Sequence, residues 1–160
     1  IRVPFTMQWP KKIKPGIIYD KPIIALDVFA TVASAASAEK YIRNDIDGVD
    51  LLPYINGDKP GAPHEYLYWQ NPDKDIDVIR DGRYKYLRIK GDEYIFDLEN
   101  DISEEINIID SSKPIYDRLK TQFKEWEKDM IDPVFMDLGM GKEYNKLNPE
   151  RWFDSNQEKQ

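Results

Sequence analysis

The sequence predicts an α+β fold: a four-stranded antiparallel sheet packed on a long C-terminal helix, preceded by a further strand and helix. Three observations predict it. Hydrophobic alternation of period two runs in short segments from His64 to Leu98, the pattern of half-buried strands. Tight-turn dipeptides, Asp81-Gly82 and Lys90-Gly91, separate those segments, so consecutive strands join as hairpins. A helical stripe of Ile115, Leu119, Phe123, Trp126 and Met130 follows, at the three- and four-residue spacing of one helix face.

In chain order, Phe5 to Trp9 is the first strand candidate, closed by Pro10 and the basic Lys11-Lys12-Ile13-Lys14 and turned by Pro15-Gly16. The basic run reads as a solvated loop. From Ala25 to about Ala38 the pattern is helical, with Leu26, Phe29, Val32, Ala33 and Ala36 on one stripe that is expected to pack closely. Asp47-Gly48-Val49-Asp50-Leu51-Leu52-Pro53 makes an Asp-capped turn into a short helix ending near Gly57, and 58–63 is loop. His64 to Gln70 alternates, with Leu67 and Trp69 on one face and Tyr66 and Tyr68 on the other. Ile76 to Arg80 and Arg83 to Ile89 are the next strands, joined through Asp81-Gly82 in a type I′ turn, and Lys90-Gly91-Asp92 turns the chain into Tyr94 to Leu98. Ser111 or Ser112 is expected to cap the last helix, with Pro114 in its first turn. Its opposite face, Asp117, Lys120, Lys124, Glu127 and Lys128, reads as solvated charge. After Asp132-Pro133 the chain reads as an irregular tail punctuated by Phe135, Tyr144, Trp152 and Phe153. The expected domains are therefore 1–57, 58–132 and a tail of 133–160.

Composition narrows the function. The 160 residues are 41% hydrophobic and 33% charged, the balance of a folded chain. A net charge of -7 opposes a role in neutralising a nucleic-acid backbone. No run approaches the roughly 20 apolar residues of a membrane span. Zero Cys excludes a disulfide, a thiolate metal site and a cysteine nucleophile. One histidine, His64, is present, and no serine lies in a Gly-x-Ser-x-Gly elbow, so a Ser-His-Asp triad has to run through His64. Carboxylate clusters such as Asp73-Lys74-Asp75-Ile76-Asp77 lack the loop grammar of an EF-hand. Arg80 and Lys85 stand where strand alternation lets them meet an anion, against the plainer reading of surface salt bridging. By its residues alone, the chain is an α+β module without a recognisable active site.

Four segments in order carry a resemblance. Ile1-Arg2-Val3-Pro4-Phe5 with Trp9-Pro10 and Gly16 resembles the Gly-Gly-x-Arg-x-Pro strand, Trp-Pro and following Gly of the formylglycine-dependent sulfatases, an arylsulfatase-like family of the alkaline-phosphatase-like superfamily. Asp27, Thr31 and Ala36 fall where that family has Asp-x-x-Pro-Thr and Ala-Gly, with Ala30 in place of Pro and Ser37 in place of Gly. Asp47-Gly48-Val49-Asp50-Leu51-Leu52-Pro53 with Gly57 resembles Asp-Gly-x-Ser-Leu-x-Pro and its closing Gly. Tyr68-Trp69, Ile79-Arg80-Asp81-Gly82-Arg83-Tyr84-Lys85, and Phe96-Asp97-Leu98 through Asp101, Glu104 and Asn107 resemble the small-domain strands, with Tyr84 for Trp and Ile102 for Pro.

The resemblance covers about 1–130 and implies that 1–57 are terminal elements of a large α/β sulfatase domain and 58–132 its small subdomain. It implies a parent that hydrolyses sulfuric esters of a carbohydrate or aryl group with formylglycine and calcium, in a periplasmic, secreted or lysosomal setting. The Cys/Ser-x-Pro/Ala-x-Arg motif that gives rise to formylglycine is absent here, and the family's catalytic Lys lies upstream of the first matching strand. No catalytic residue and no metal ligand are therefore expected in this chain, which should be inactive alone. It reads as a fragment whose partner is a missing N-terminal catalytic domain. His64, Gln70, Asn71 and Arg80 are the candidate substrate contacts. Apolar surface around Phe5, Trp9, Phe29 and Val32 is expected to be exposed and to drive self-association. The alternatives are a stand-alone binding or scaffold module, and part of a related phosphate or phosphonate ester hydrolase.

Overall fold

The computed structural model describes residues 3–41, 43 and 45–131. Ile1 and Arg2 of the first motif and the tail from Asp132 lie outside the described residues. The chain divides into two compact units between Leu67 and Tyr68.

In the first unit, residues 3–25 are irregular. The strand expected over Phe5 to Trp9 does not form among the described residues, because a strand without a neighbour leaves its N–H and C=O groups without a ladder. Helix α1 spans Leu26–Ala35, and the short α2 spans Leu52–Ile55. A backbone cap ends α2: Asp58 N–H donates to Pro53 O at 2.8 Å and Gly57 N–H to Tyr54 O at 3.2 Å. Gly57 takes φ +81°, so this is the Schellman arrangement that a left-handed glycine permits. The expected close-packing stripe of α1 is buried only in part: Ala33 packs, while Phe29 and Val32 form the exposed apolar surface that the sequence also predicts. Leu26, Phe29 and Val32 are 52%, 58% and 61% exposed, while Asp27, Ala30, Thr31 and Ala33 are buried. The small alanines permit close approach, and the two polar side chains satisfy backbone donors that the expected apolar stripe has no means of meeting.

The second unit is built on a sheet of β1 (Leu67–Asn71), β2 (Ile76–Arg80), β3 (Tyr84–Ile89) and β4 (Asp92–Asp97), in the order β1-β2-β3-β4. Helix α3, Lys113–Glu127, covers one face, and the four-stranded sheet with its C-terminal helix is the architecture the sequence predicts. The antiparallel register aligns Ile79, Tyr86 and Ile95 in one row across three strands. Those residues, with Leu119 and Phe123 from α3, are buried. Tyr86 meets Tyr116 edge-on, and Tyr68 of β1 stacks on Trp126 at 4.8 Å between centroids. Such aromatic pairs add about 0.5–1.5 kcal/mol beyond area burial.

Both turn assignments are refined. The β2-β3 register pairs Arg80 with Lys85, and Asp81 N–H donates to Tyr84 O at 3.1 Å, so the central residues are Gly82 and Arg83. Of these only Gly82 has positive φ, +91°, the type II′ pattern. Asp81 sits outside the turn because its carboxylate accepts from Tyr84 N–H at 2.7 Å. The type I′ pattern occurs one hairpin later, where Lys90 (φ +51°) and Gly91 (φ +91°) are both left-handed. Ser112 begins α3 without a side-chain cap bond; the Ser112 carbonyl instead accepts from Ile115 and Tyr116 N–H. The helix ends at Glu127, leaving Met130 43% exposed. The outer edge of β4 is covered from within the unit. Ile108 N–H donates to Ile95 O, and the Asn107 Oδ1 accepts from Ile95 N–H at 3.0 Å, which removes an edge that invites pairing with another chain.

Candidate functional site

The densest polar constellation in the first unit is centred on Asp27, a fully buried residue in the first turn of α1. One carboxylate oxygen, Oδ2, accepts from Ile24 N–H at 2.8 Å. The other, Oδ1, accepts from Val49 N–H at 2.9 Å and lies 2.8 Å from His64 Nε2. One turn along, Thr31 Oγ1 donates to Asp27 O at 2.7 Å and accepts from Leu51 N–H at 3.0 Å. Two side chains thus tie the 47–51 segment to α1. A buried carboxylate is tolerated when each oxygen is hydrogen-bonded in this way.

Gly48 makes that approach possible. A Cβ there meets Leu26 O at 2.2 Å and Leu26 C at 2.6 Å, backbone atoms that have nowhere to go. Asp27, Thr31 and Gly48, three residues of the motif series, are therefore parts of one clasp. Asp50 Oδ1 completes the segment by accepting from Leu52 N–H at 3.0 Å at the start of α2, as an Asp before a helix does.

His64 is held by Asp27 with its side chain 12% exposed, and no serine among the described residues hydrogen-bonds it. The Asp-His pair orients an imidazole, but the third member of a nucleophilic triad is not placed on it among the described residues. Gln70, Asn71 and Arg80 belong to the other unit. Gln70 donates to Asp77 Oδ1 at 3.3 Å and to Glu127 Oε1 at 3.2 Å. Asn71 Oδ1 accepts from Lys74 N–H at 3.1 Å, capping a single 3-10 turn. Arg80 donates from Nε and Nη2 to Gly82 O at 3.0 and 2.8 Å, which clamps the hairpin. Lys85, cross-strand partner of Arg80, is buried with its ammonium 2.5 Å from Glu104. For Lys85 the salt-bridge reading is the one observed.

Two polar networks on the helix-facing side of the sheet carry no local signal in the sequence. Asp77 and Arg88 are directly opposed across β2 and β3 and ion-paired, and Arg88 also pairs with Asp75 at 2.7 Å. Glu93 on β4 accepts from Tyr86 and Tyr116 hydroxyls, each at 2.6 Å, and from Lys120 Nζ at 2.7 Å. Burial by itself raises the Glu93 carboxyl, yet hydrogen bonds from Lys120, Tyr116 and Tyr86 outweigh it and hold the group down at about 2. Burial, then the Glu93 bond, pushes the Tyr86 phenol well up from its ordinary value. Lys120 and Glu127, expected to be solvated charge, instead join the helix to the sheet. Among the described residues no three His, Asp or Glu side chains converge as a metal ion would require, and no helix is long and apolar enough to cross a membrane.

One unit is a four-stranded meander covered by a helix and the other holds the Asp-Thr-Gly clasp, which together make an α+β module. The family described as "N-sulphoglucosamine sulphohydrolase, C-terminal" matches residues 1–129, and the chain belongs to that family. Steryl-sulfatase of Mus musculus is 41% identical over 68 residues, covering 42% of this chain and 11% of that protein. The ulvan-active sulfatase of Formosa agariphila is 34% identical over 96 residues, 55% of this chain and 19% of that protein. Among solved structures, Ps i-CgsB in complex with k-i-k-neocarrahexaose superposes with a TM-score of 0.69 at 24% identity, over 91% of this chain and 33% of that one. The last comparison speaks to the fold. The chain spans about a tenth to a fifth of the length of these curated relatives.

Proposed function

We propose that this chain is the C-terminal part of a sulfuric ester hydrolase acting on a sulfated carbohydrate, where it braces the catalytic domain and closes one side of the substrate cleft. The observation that carries the proposal is the clasp. The residues of the motif series, Asp27, Thr31 and Gly48, are the ones whose chemistry is spent on holding the first unit together. The carbohydrate class is supported by the family's description and by the ulvan-active relative; a steryl sulfate is the competing substrate. In this reading the formylglycine nucleophile and calcium are supplied by residues outside this chain, as the resemblance to the sulfatase family implies. Its partner is the N-terminal catalytic domain.

The exposed Phe5, Phe29 and Val32, with the half-buried Trp9, are proposed as the surface on which that domain or a second copy packs. His64, Gln70, Asn71 and Arg80 remain the proposed substrate contacts. Gln70 and Asn71 are exposed, so their substitution by Ala in the full-length protein should raise KM with little effect on kcat. Unchanged kinetics would remove them. The reading as a whole is tested by offering the full-length protein a sulfated oligosaccharide, an aryl sulfate, a steryl sulfate and the matching phosphate and phosphonate esters. Inorganic sulfate released fastest from the oligosaccharide supports it. Phosphate release without sulfate release replaces it with a phosphate or phosphonate ester hydrolase.

A further inference from the structure

The residues ahead of α1 carry a charge opposite to that of the rest of the chain. Residues 1–25 hold five of the 23 Lys and Arg and one of the 30 Asp and Glu, so a chain of net charge -7 begins with a stretch of +4. Two of those cations, Lys11 and Lys12, lie on one tight turn in which Trp9 O accepts both Lys12 N–H at 2.9 Å and Ile13 N–H at 2.8 Å, and Lys14 follows it directly. Trp9 and Ile13 are half-buried and the three lysines are exposed. Pro10 and the Pro15-Gly16 turn bound the segment, and a proline fixes φ and lowers the entropy lost on binding.

The three lysines form no ion pair among the described residues. The next acid along the chain, Asp20, pairs with Lys21 at 3.4 Å. The backbone from Lys11 to Lys14 spans at most about 11 Å, comparable with the Debye length of about 8 Å at physiological salt. A polyanion therefore meets them as a single patch.

We infer that the Lys11-Lys12-Lys14 segment is a docking site for a sulfated polysaccharide whose sulfates are spaced along the polymer. The inference deepens the carbohydrate reading above and rests on it for the choice of sulfate polymer. Charge complementarity favours this occupant. The net negative charge of the remaining chain repels an extended, densely charged partner such as nucleic acid or an anionic bilayer, whereas a local patch of three suits a polymer with spaced sulfates.

The test is binding of the full chain to chondroitin sulfate, which carries about one sulfate per disaccharide, by fluorescence anisotropy or calorimetry across a salt series, for the native sequence and for the triple substitution Lys11→Ser, Lys12→Ser, Lys14→Ser. All three positions are exposed, and circular dichroism checks that the variant keeps its fold. Removing three contacts should weaken binding at least about tenfold and reduce the slope of log affinity against log salt by about 2, at roughly 0.7 per contact for a flexible polyanion. Unchanged affinity in the variant overturns the proposal. So does tighter binding of single-stranded DNA, phosphatidylserine vesicles or the densely charged dextran sulfate than of chondroitin sulfate. Hydrolysis of a small monosulfated aryl ester by the full-length protein should be unaffected by the triple substitution. Its complete absence in the native protein would remove the hydrolase reading alone, since polymer binding is read without turnover.

Discussion

The two units are held together by different physics. In the second, one sheet row across three strands and the buried face of α3 supply a core of Ile79, Tyr86, Ile95, Leu119 and Phe123, with Glu93 bonded to Lys120 and Gln70 bridging Asp77 and Glu127 to fix the helix against the sheet. The hydrophobic term there is distributed, so each side chain contributes a share of the whole. In the first, two short helices and long irregular segments converge on one carboxylate and one threonine hydroxyl, while Leu26, Phe29 and Val32 face outward. Stability there is concentrated in a few hydrogen bonds, and a concentrated network fails when one member is removed. The difference teaches that the first unit is a precise device for positioning 47–51 and His64, and the second a robust platform.

The largest effect that would break this contrast is expected at Asp27. Asp27→Ala leaves Ile24 N–H, Val49 N–H and His64 without their acceptor, and should cost about 3–5 kcal/mol, with the loss of amide-exchange protection confined to the first unit. Protection lost equally across β2 to β4 would show the units to be one cooperative body. Leu119→Ala, in the other unit, should cost about 2–5 kcal/mol, the range for a buried leucine, measured by denaturant unfolding. An effect under about 1 kcal/mol would show that the platform is not built on this face.

The polar network gives an intermediate, pH-dependent effect. Glu93 is depressed to about 2 in the folded chain against an ordinary value near 4.3. A group of this sign contributes stability that is present above the unfolded value and is lost as pH falls from about 4.5 through 2. Glu93→Gln should flatten the stability profile across that window, and a profile unchanged from the native one would assign acid sensitivity to other carboxylates. The smallest effect sharpens the comparison within the platform. Lys90, left-handed at φ +51°, pays a strain that Asn largely escapes, so Lys90→Asn should stabilise by roughly 0.5–1 kcal/mol, read as a rise in Tm.

Legibility followed the range of the interaction. Strand ends are readable within a residue or two at most positions, since alternation and glycine turns are local properties: alternation predicts β2 over Ile76 to Arg80, where the structure has it. Exact turn type is not, because whether Gly82 is the first or second central residue depends on Asp81 accepting from Tyr84 N–H. Strand β1 starts at Leu67 and not His64, as His64 is committed to an aspartate 37 residues earlier. Of the candidate contacts, Asn71 and Arg80 bond within their own turns, while His64 and Gln70 bond Asp27 and Glu127, partners 37 and 57 positions away that a sequence pattern does not encode.

By itself the sequence determined the fold class, the order of strands, the last helix, extended to Met130 where the structure ends it at Glu127, and, through four motif segments in order, a resemblance to a family. Those follow from periodicity, turn chemistry and residues fixed in register, all of which are readable along one dimension. Only the tertiary structure decided which face of α1 is buried, that Gly48 is needed because its Cβ position is filled by the Leu26 carbonyl, and that Glu93 gathers two tyrosines and a lysine. Those depend on which backbone donors and side-chain hydroxyls arrive from distant segments. A buried polar group is placed by its partners, and its partners are known only once the chain has folded.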